Sequence, residues 1–222
     1  MPTTRRVFVL AGLFAGVLPL ARGVEAPTPA QVAAFFRAVQ VDDQRTVAQM
    51  VGAVVNANEI NPVGGEPALV LAAREGSMRV LEVLLAHPGT DLNAQAANGN
   101  TALMMAAFKR NKQAVQALLA KGAAVNRAGW TPLHYAAAAG DAEIAQLLIE
   151  RGARLDTPSP RASGAYTPLM MAAREGQEAT ALLLLRRGAK AGLKNGEGLT
   201  AAQIAERAGR SELAGAISGF KP

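Results

Sequence analysis

Apolar residues are spaced along this chain in two ways. Between Val7 and Ala21 they run almost unbroken behind Arg5 and Arg6. Further on, small pairs alternate with large ones: Ala72-Ala73 then Leu84-Leu85, Ala106-Ala107 then Leu118-Leu119, Ala136-Ala137 then Leu147-Leu148, and Ala172-Ala173 then Leu183-Leu184-Leu185. The first of each couple predicts a helix whose small side chains let a neighbour approach closely. The second predicts a helix with a Leu stripe. Between them stands a turn residue (Gly76, Arg110, Gly140, Gly176, Gly209), and the Leu helices stop at Gly89, Gly122, Gly152 or Gly188. Glycine there takes the left-handed conformation that ends a helix.

The start of each unit is marked by Thr101-Ala102-Leu103-Met104, Thr131-Pro132-Leu133-His134, Thr167-Pro168-Leu169-Met170 and Thr200-Ala201-Ala202-Gln203, with a fainter copy at Pro67-Ala68-Leu69-Val70. These starts lie 34, 30, 36 and 33 residues apart. Thr is a good N-cap, and proline at the first helical position gives up an N–H that would be unpaired anyway. One helix pair cannot bury both of its faces, so neighbouring units must stack.

Gly129-Trp130-Thr131-Pro132-Leu133-His134-Tyr135-Ala136-Ala137, together with Gly122-Ala123-Ala124-Val125-Asn126 and Asp91-Leu92-Asn93, resembles the ankyrin repeat. The resemblance covers about residues 63 to 218, with weaker helices back to about 29. It implies an all-α repeat solenoid of stacked helix-turn-helix units with hairpin-like fingers. The units fall at 29–62, 63–96, 97–127, 128–162, 163–195 and 196–220 within one domain, 27–222. The first unit (Phe35, Phe36, Val47) keeps only the two-helix pattern and the last has Ala202 and Gln203 for Leu-His; they read as caps. Arg110 stands where the family has glycine. The finger before Trp130 is about three residues short and the one holding Thr157 to Arg161 about three long, so the first should be clipped and the second should protrude or be mobile.

Residues 1–26 read as an address. Basic residues, an apolar run and the small-residue stretch Ala21 to Ala26 are the order of a secretory signal peptide. The run, broken by Gly12, Gly16 and Pro19, is too short for a span of about 20 residues. Thr4-Arg5-Arg6-Val7-Phe8 resembles a bacterial twin-arginine signal, an ordinary secretory signal being the alternative. Cleavage is expected after Gly23 or Ala26, leaving a periplasmic or else a secreted protein with no stable membrane span. Losing three arginines and Glu25 lowers the formal charge from +6 to +4.

Chemistry is sparse. With no cysteine and only His87 and His134 in 222 residues, thiolate and multi-imidazole sites are excluded. Gly196-Glu197-Gly198-Leu199-Thr200-Ala201 formally matches a dinucleotide fingerprint, but a repeat helix precedes it where a strand is required. Neither catalytic, cofactor-binding nor metal-ligating residues are expected, nor an enzyme. The basic groups Lys109-Arg110-Lys112 and Arg186-Arg187-Lys190-Lys194 lack interleaved aromatics, and no nucleic-acid partner is expected.

The resemblance implies that a partner protein binds on the concave side, made of finger tips and exposed positions of each first helix. By register these are Glu66, Arg74, Glu75, Asn100, Phe108, Lys109, Trp130, Ala138, Ala139, Tyr166, Arg174 and Glu175. Three of the seven aromatics after residue 26 fall in this set, and buried aromatic and Arg anchors dominate interface energetics. A monomeric, non-enzymatic interaction module is therefore expected, as an envelope scaffold or accessory factor. The alternatives are a binder of small molecules or cell-envelope polymer, and a secreted host-directed effector.

Overall fold

The computed structural model describes residues 26–221. Twelve α-helices form six hairpin pairs: α1 (Pro29–Gln40) with α2 (Gln44–Met50), α3 (Ala68–Glu75) with α4 (Met78–Ala86), and α5 (Ala102–Phe108) with α6 (Lys112–Ala120). Then follow α7 (Pro132–Ala139) with α8 (Ala142–Glu150), α9 (Pro168–Glu175) with α10 (Glu178–Arg186), and α11 (Ala201–Arg207) with α12 (Ser211–Ser218). Among the described residues there is no extended strand; the fingers hold isolated bridges such as Ile60 with Pro67. The signal-peptide reading falls almost wholly outside the described residues.

First helices stack on first helices and second on second, so the molecule is an all-α solenoid two helices deep. The first-helix layer is the tighter one. Its facing side chains are the alanine pairs, all four of them fully buried. The second layer is spaced by larger groups such as Leu84, Leu118, Leu148 and Leu184, likewise fully buried. A layer of small residues beside a layer of large ones makes the stack curve, concave on the first-helix side.

Local chemistry sets the helix ends. The hydroxyls of Thr28, Thr101, Thr167 and Thr200 each accept the backbone N–H three residues on. Helix α4 is capped from the previous unit instead: the Asp42 carboxylate accepts the Val80 N–H at 2.9 Å and meets Arg79 Nε at 3.0 Å. Arg110 adopts the left-handed conformation its position demands, at φ 57°, without being glycine.

A side-chain ladder crosses the repeat boundaries on the loop edge. The Oδ1 atoms of Asn58, Asn93, Asn126 and Asp156 accept backbone N–H groups of Asp91, Ala124, Arg154 and Lys190 at 2.7–3.0 Å. Each bond satisfies a loop amide that lies outside any helix.

The fingers are tied differently. Ala97 N–H bonds Gly65 C=O, and Gly196 N–H bonds Gly164 C=O, each linking one finger to the next. At the clipped finger the Arg127 guanidinium takes over, donating to Gly99 C=O and, at 2.9 Å, to Gln95 Oε1. The long finger keeps its tip, Pro160 to Ser163, exposed but does not hang free. It folds into a 3-10 turn at Arg161–Ser163 and closes through Ser159 N–H to Tyr166 C=O at 2.7 Å. Its Pro160 lies against Gly129 of the clipped neighbour, so the long finger leans on the short one.

Candidate partner-binding groove

Three successive first helices and one finger meet at a concavity of about 400 Å³. Helix α5 ends with Phe108, the shortened finger delivers Trp130, α7 contributes His134, Tyr135 and Ala138, and α9 adds Met171, Arg174 and Glu175. Trp130 directly precedes the Thr131 cap of α7 and lies against that helix. Its ring meets His134 edge-on at 5.3 Å and Tyr135 at 6.2 Å. Phe108 stands perpendicular to Tyr135 at 6.1 Å. Such offset, tilted pairs are the arrangement the ring quadrupoles favour.

His134 is the floor of the groove and is only 1% exposed. The Tyr166 carbonyl can only accept, so Nε2, 2.9 Å away, carries the proton. Nδ1 then accepts from the Thr131 backbone N–H at 3.1 Å and from its hydroxyl at 2.8 Å. Burial lowers the imidazole pKa to about 4, against the opposing bond to the Tyr166 carbonyl. With both nitrogens engaged and the ring neutral, His134 holds repeats together; neither nitrogen is left to take a proton from a ligand.

Tyr135 donates its hydroxyl to Asn100 Oδ1 at 2.5 Å, which fixes its ring as the wall shared by Phe108 and Trp130. Burial pushes the phenol above the ordinary tyrosine range, opposed by the Asn100 bond and by the charge of Arg127. At the rim, Nε and Nη2 of Arg174 both reach Glu175 Oε1, at 2.9 and 2.8 Å. The same guanidinium lies 5.3 Å from the centre of the Tyr166 ring. Arg174 and Glu175 thus satisfy each other, while the walls are apolar.

The sequence-chosen residues divide into three groups. Phe108, Trp130, Ala138, Arg174 and Glu175 converge on the groove. Asn100 and Tyr166 support it from behind; Tyr166 is only 8% exposed, with the Arg174 guanidinium over its ring. Lys109 is exposed beside Phe108, Ala139 is half-buried, and Glu66, Arg74 and Glu75 form their own ion-paired cluster in the unit before α5. Glu66 is buried there, its carboxylate 3.1 Å from Arg74. Tyr135 and Met171 lie outside the register set, the Met170-Met171 pair reading in the sequence as filler between repeats. The one available signal for Tyr135 is an aromatic ring between His134 and a run of four alanines. A polar cavity of similar volume near Gly176 and Arg210 has no aromatic wall.

Among the described residues no three acidic or imidazole side chains gather as a metal site, and no helix is long and apolar enough to cross a membrane.

Family comparison agrees with this geometry. The model for ankyrin repeats in three copies matches residues 35–128 and 69–159, and the single ankyrin repeat model matches 166–196. Mouse SH3 and multiple ankyrin repeat domains protein 1 is 36% identical over 126 residues, 54% of this chain and 6% of that protein. Human transient receptor potential cation channel subfamily A member 1 is 37% identical over 87 residues, 38% of this chain and 8% of the channel protein. Human mitochondrial disaggregase is 44% identical over 73 residues, 33% of this chain and 10% of its own length. The chain thus spans a tenth or less of each of these relatives.

Proposed function

Because this chain belongs to the ankyrin-repeat family, whose repeats suggest protein partners, we propose that it is a non-enzymatic binding module that captures a partner protein in the groove between α5, α7 and α9. The observation that carries this reading is the aromatic wall. Phe108 is half exposed, the one aromatic among the exposed large hydrophobic side chains of the described residues, and it stands at the mouth of an apolar concavity. Large apolar groups left in water at a concave site are what a partner covers.

A groove of about 400 Å³ also lies in the range of small-molecule sites. The polar groups favour the protein reading. Small-ligand sites aim polar atoms into the cavity, whereas here Arg174 and Glu175 pair with each other and His134 faces Tyr166 and Thr131.

The order of Arg5-Arg6, apolar run and small residues supports export, so the module acts in the periplasm as an envelope scaffold or accessory factor, as a monomer. Two measurements test these statements. A photo-crosslinking residue placed at Phe108 should give a discrete protein adduct in intact cells, and one at exposed Gln116 on α6 should not; equal adducts from both positions sink the groove. Fractionation should find a shortened chain in the periplasm. A full-length chain retained in the cytosol overturns export.

A further inference from the structure

Charge around the groove is not balanced. On the concave side, Arg74 is paired with Glu66 and Glu75, Arg174 with Glu175, and Arg207 with Glu197. Two cations beside the groove differ. The Lys109 ammonium, next to Phe108, meets no carboxylate within 4 Å among the described residues, and Lys109 is exposed. Arg127 spends its donors on neutral oxygens, Gly99 C=O and Gln95 Oε1, so its charge stays uncompensated. The carbonyl it holds belongs to Gly99, the residue before Asn100, whose Oδ1 accepts the Tyr135 hydroxyl. Neither cation lines the groove itself: one is carried by the residue after Phe108, the other by the finger residue tied beside the Asn100 that holds Tyr135.

We propose that the groove takes an acidic segment of a partner protein, with one large apolar side chain seated between Phe108, Trp130 and Tyr135 and flanking carboxylates facing Lys109 and Arg127. This rests on the binding reading above and adds the chemistry of the partner. A cationic segment would bring like charges to both cations, and such juxtaposition costs affinity. A neutral apolar segment would leave both cations facing neutral surface and forgo that attraction. A nucleic acid would satisfy the cations but brings no aliphatic anchor, and the rings are already tilted against one another rather than laid out as a stacking platform. An acidic peptide with an apolar anchor satisfies both features at once.

Trp130 is the one tryptophan in the chain, so its fluorescence reports occupancy of the groove directly. The full chain is used to select binders from a displayed library of short random peptides, and enriched peptides are titrated against that fluorescence. Enriched peptides should carry Asp or Glu around a Leu, Ile or aromatic residue. Their Kd should weaken about tenfold or more in Phe108→Ala and in Lys109→Glu. It should weaken again when salt rises from about 0.05 to 0.5 M. Lys109 is exposed and Phe108 half exposed, so both variants should stay folded, Lys109→Glu at the parent unfolding midpoint and Phe108→Ala within a few degrees of it. Basic or neutral peptides that need Phe108 but ignore Lys109→Glu overturn the acidic partner and leave groove binding standing. No enrichment, or binding indifferent to Phe108→Ala, overturns both.

Discussion

Across the boundary between the fourth and fifth repeats, His134 Nε2 donates to the Tyr166 carbonyl at 2.9 Å while its Nδ1 accepts from Thr131. One imidazole thereby caps its own helix and bridges to the next unit. It can do so only as the neutral Nε2–H tautomer, because a second ring proton would point at the Thr131 N–H.

That arrangement sets a pH dependence. The folded pKa is about 4 and the ordinary value 6.5, so between these values the unfolded chain binds a proton that the folded one excludes. Stability is present above pH 6.5, falls as pH drops toward 4, and the loss is complete below. The full effect is on the order of 3 kcal/mol. Urea denaturation at a series of pH values should show this slope in the parent chain and a flatter one in His134→Gln. Parallel slopes would mean that His134 titrates normally in the fold.

Phe108 and Trp130 look alike in sequence register and differ in burial. Phe108 is 50% exposed, whereas Trp130 packs on His134 and Tyr135. Phe108→Ala should lose about 1 kcal/mol, through the half-buried part of its ring and its edge-on contact with Tyr135. Trp130→Ala should lose roughly 1–3 kcal/mol, less than for a fully buried ring. Equilibrium unfolding of the two variants checks this, and a larger loss at Phe108 would contradict the assignment of it as a free binding group.

Arg127 replaces the backbone link that other fingers make to one another. Arg127→Ala should cost about 1–2 kcal/mol, through loss of two charge-assisted hydrogen bonds to Gly99 and Gln95. Amide exchange should speed up around Gly99 before it does in α5 or α7. Unchanged exchange there would show that the finger is held by something else.

Arg110 and Gly140 occupy equivalent turns with φ of 57° and 74°. The left-handed conformation costs a side chain roughly 1–2 kcal/mol, offset in part by the greater backbone entropy that glycine loses on folding. Arg110→Gly should therefore gain about 0.5 kcal/mol, its contact with Asp141 being long, at 3.6 Å, and made by a mostly exposed guanidinium. Gly140→Ala should lose about 1–2 kcal/mol, since a Cβ there also collides with the Gln177 side chain. Opposite signs are the outcome to look for in denaturation midpoints.

The repeat frame was legible in the sequence because its code is local. Thr caps, Pro at the first helical position, Ala pairs and Leu stripes each act within one or two turns, and every copy repeats the same instruction. Five of the groove residues were legible for the same reason: Phe108, Trp130, Ala138, Arg174 and Glu175 follow from register alone. Tyr135 and Met171 did not, since whether those helix positions face a neighbour or the concavity depends on how closely adjacent units stack. The burial of Tyr166 was hidden too, because it follows from the closure of its own finger onto Ser159.

Finger length shows the division most clearly. The sequence by itself determined that one finger is short and the next long, since counting residues between motifs needs no coordinates. Only the tertiary structure decided that the long one leans on the short one, with Pro160 against Gly129 and Arg127 standing in for a missing backbone bond. The physical reason is range. Caps and apolar periodicity act along the chain, whereas the shape of a groove is set by side chains some thirty residues apart that meet only when the units stack.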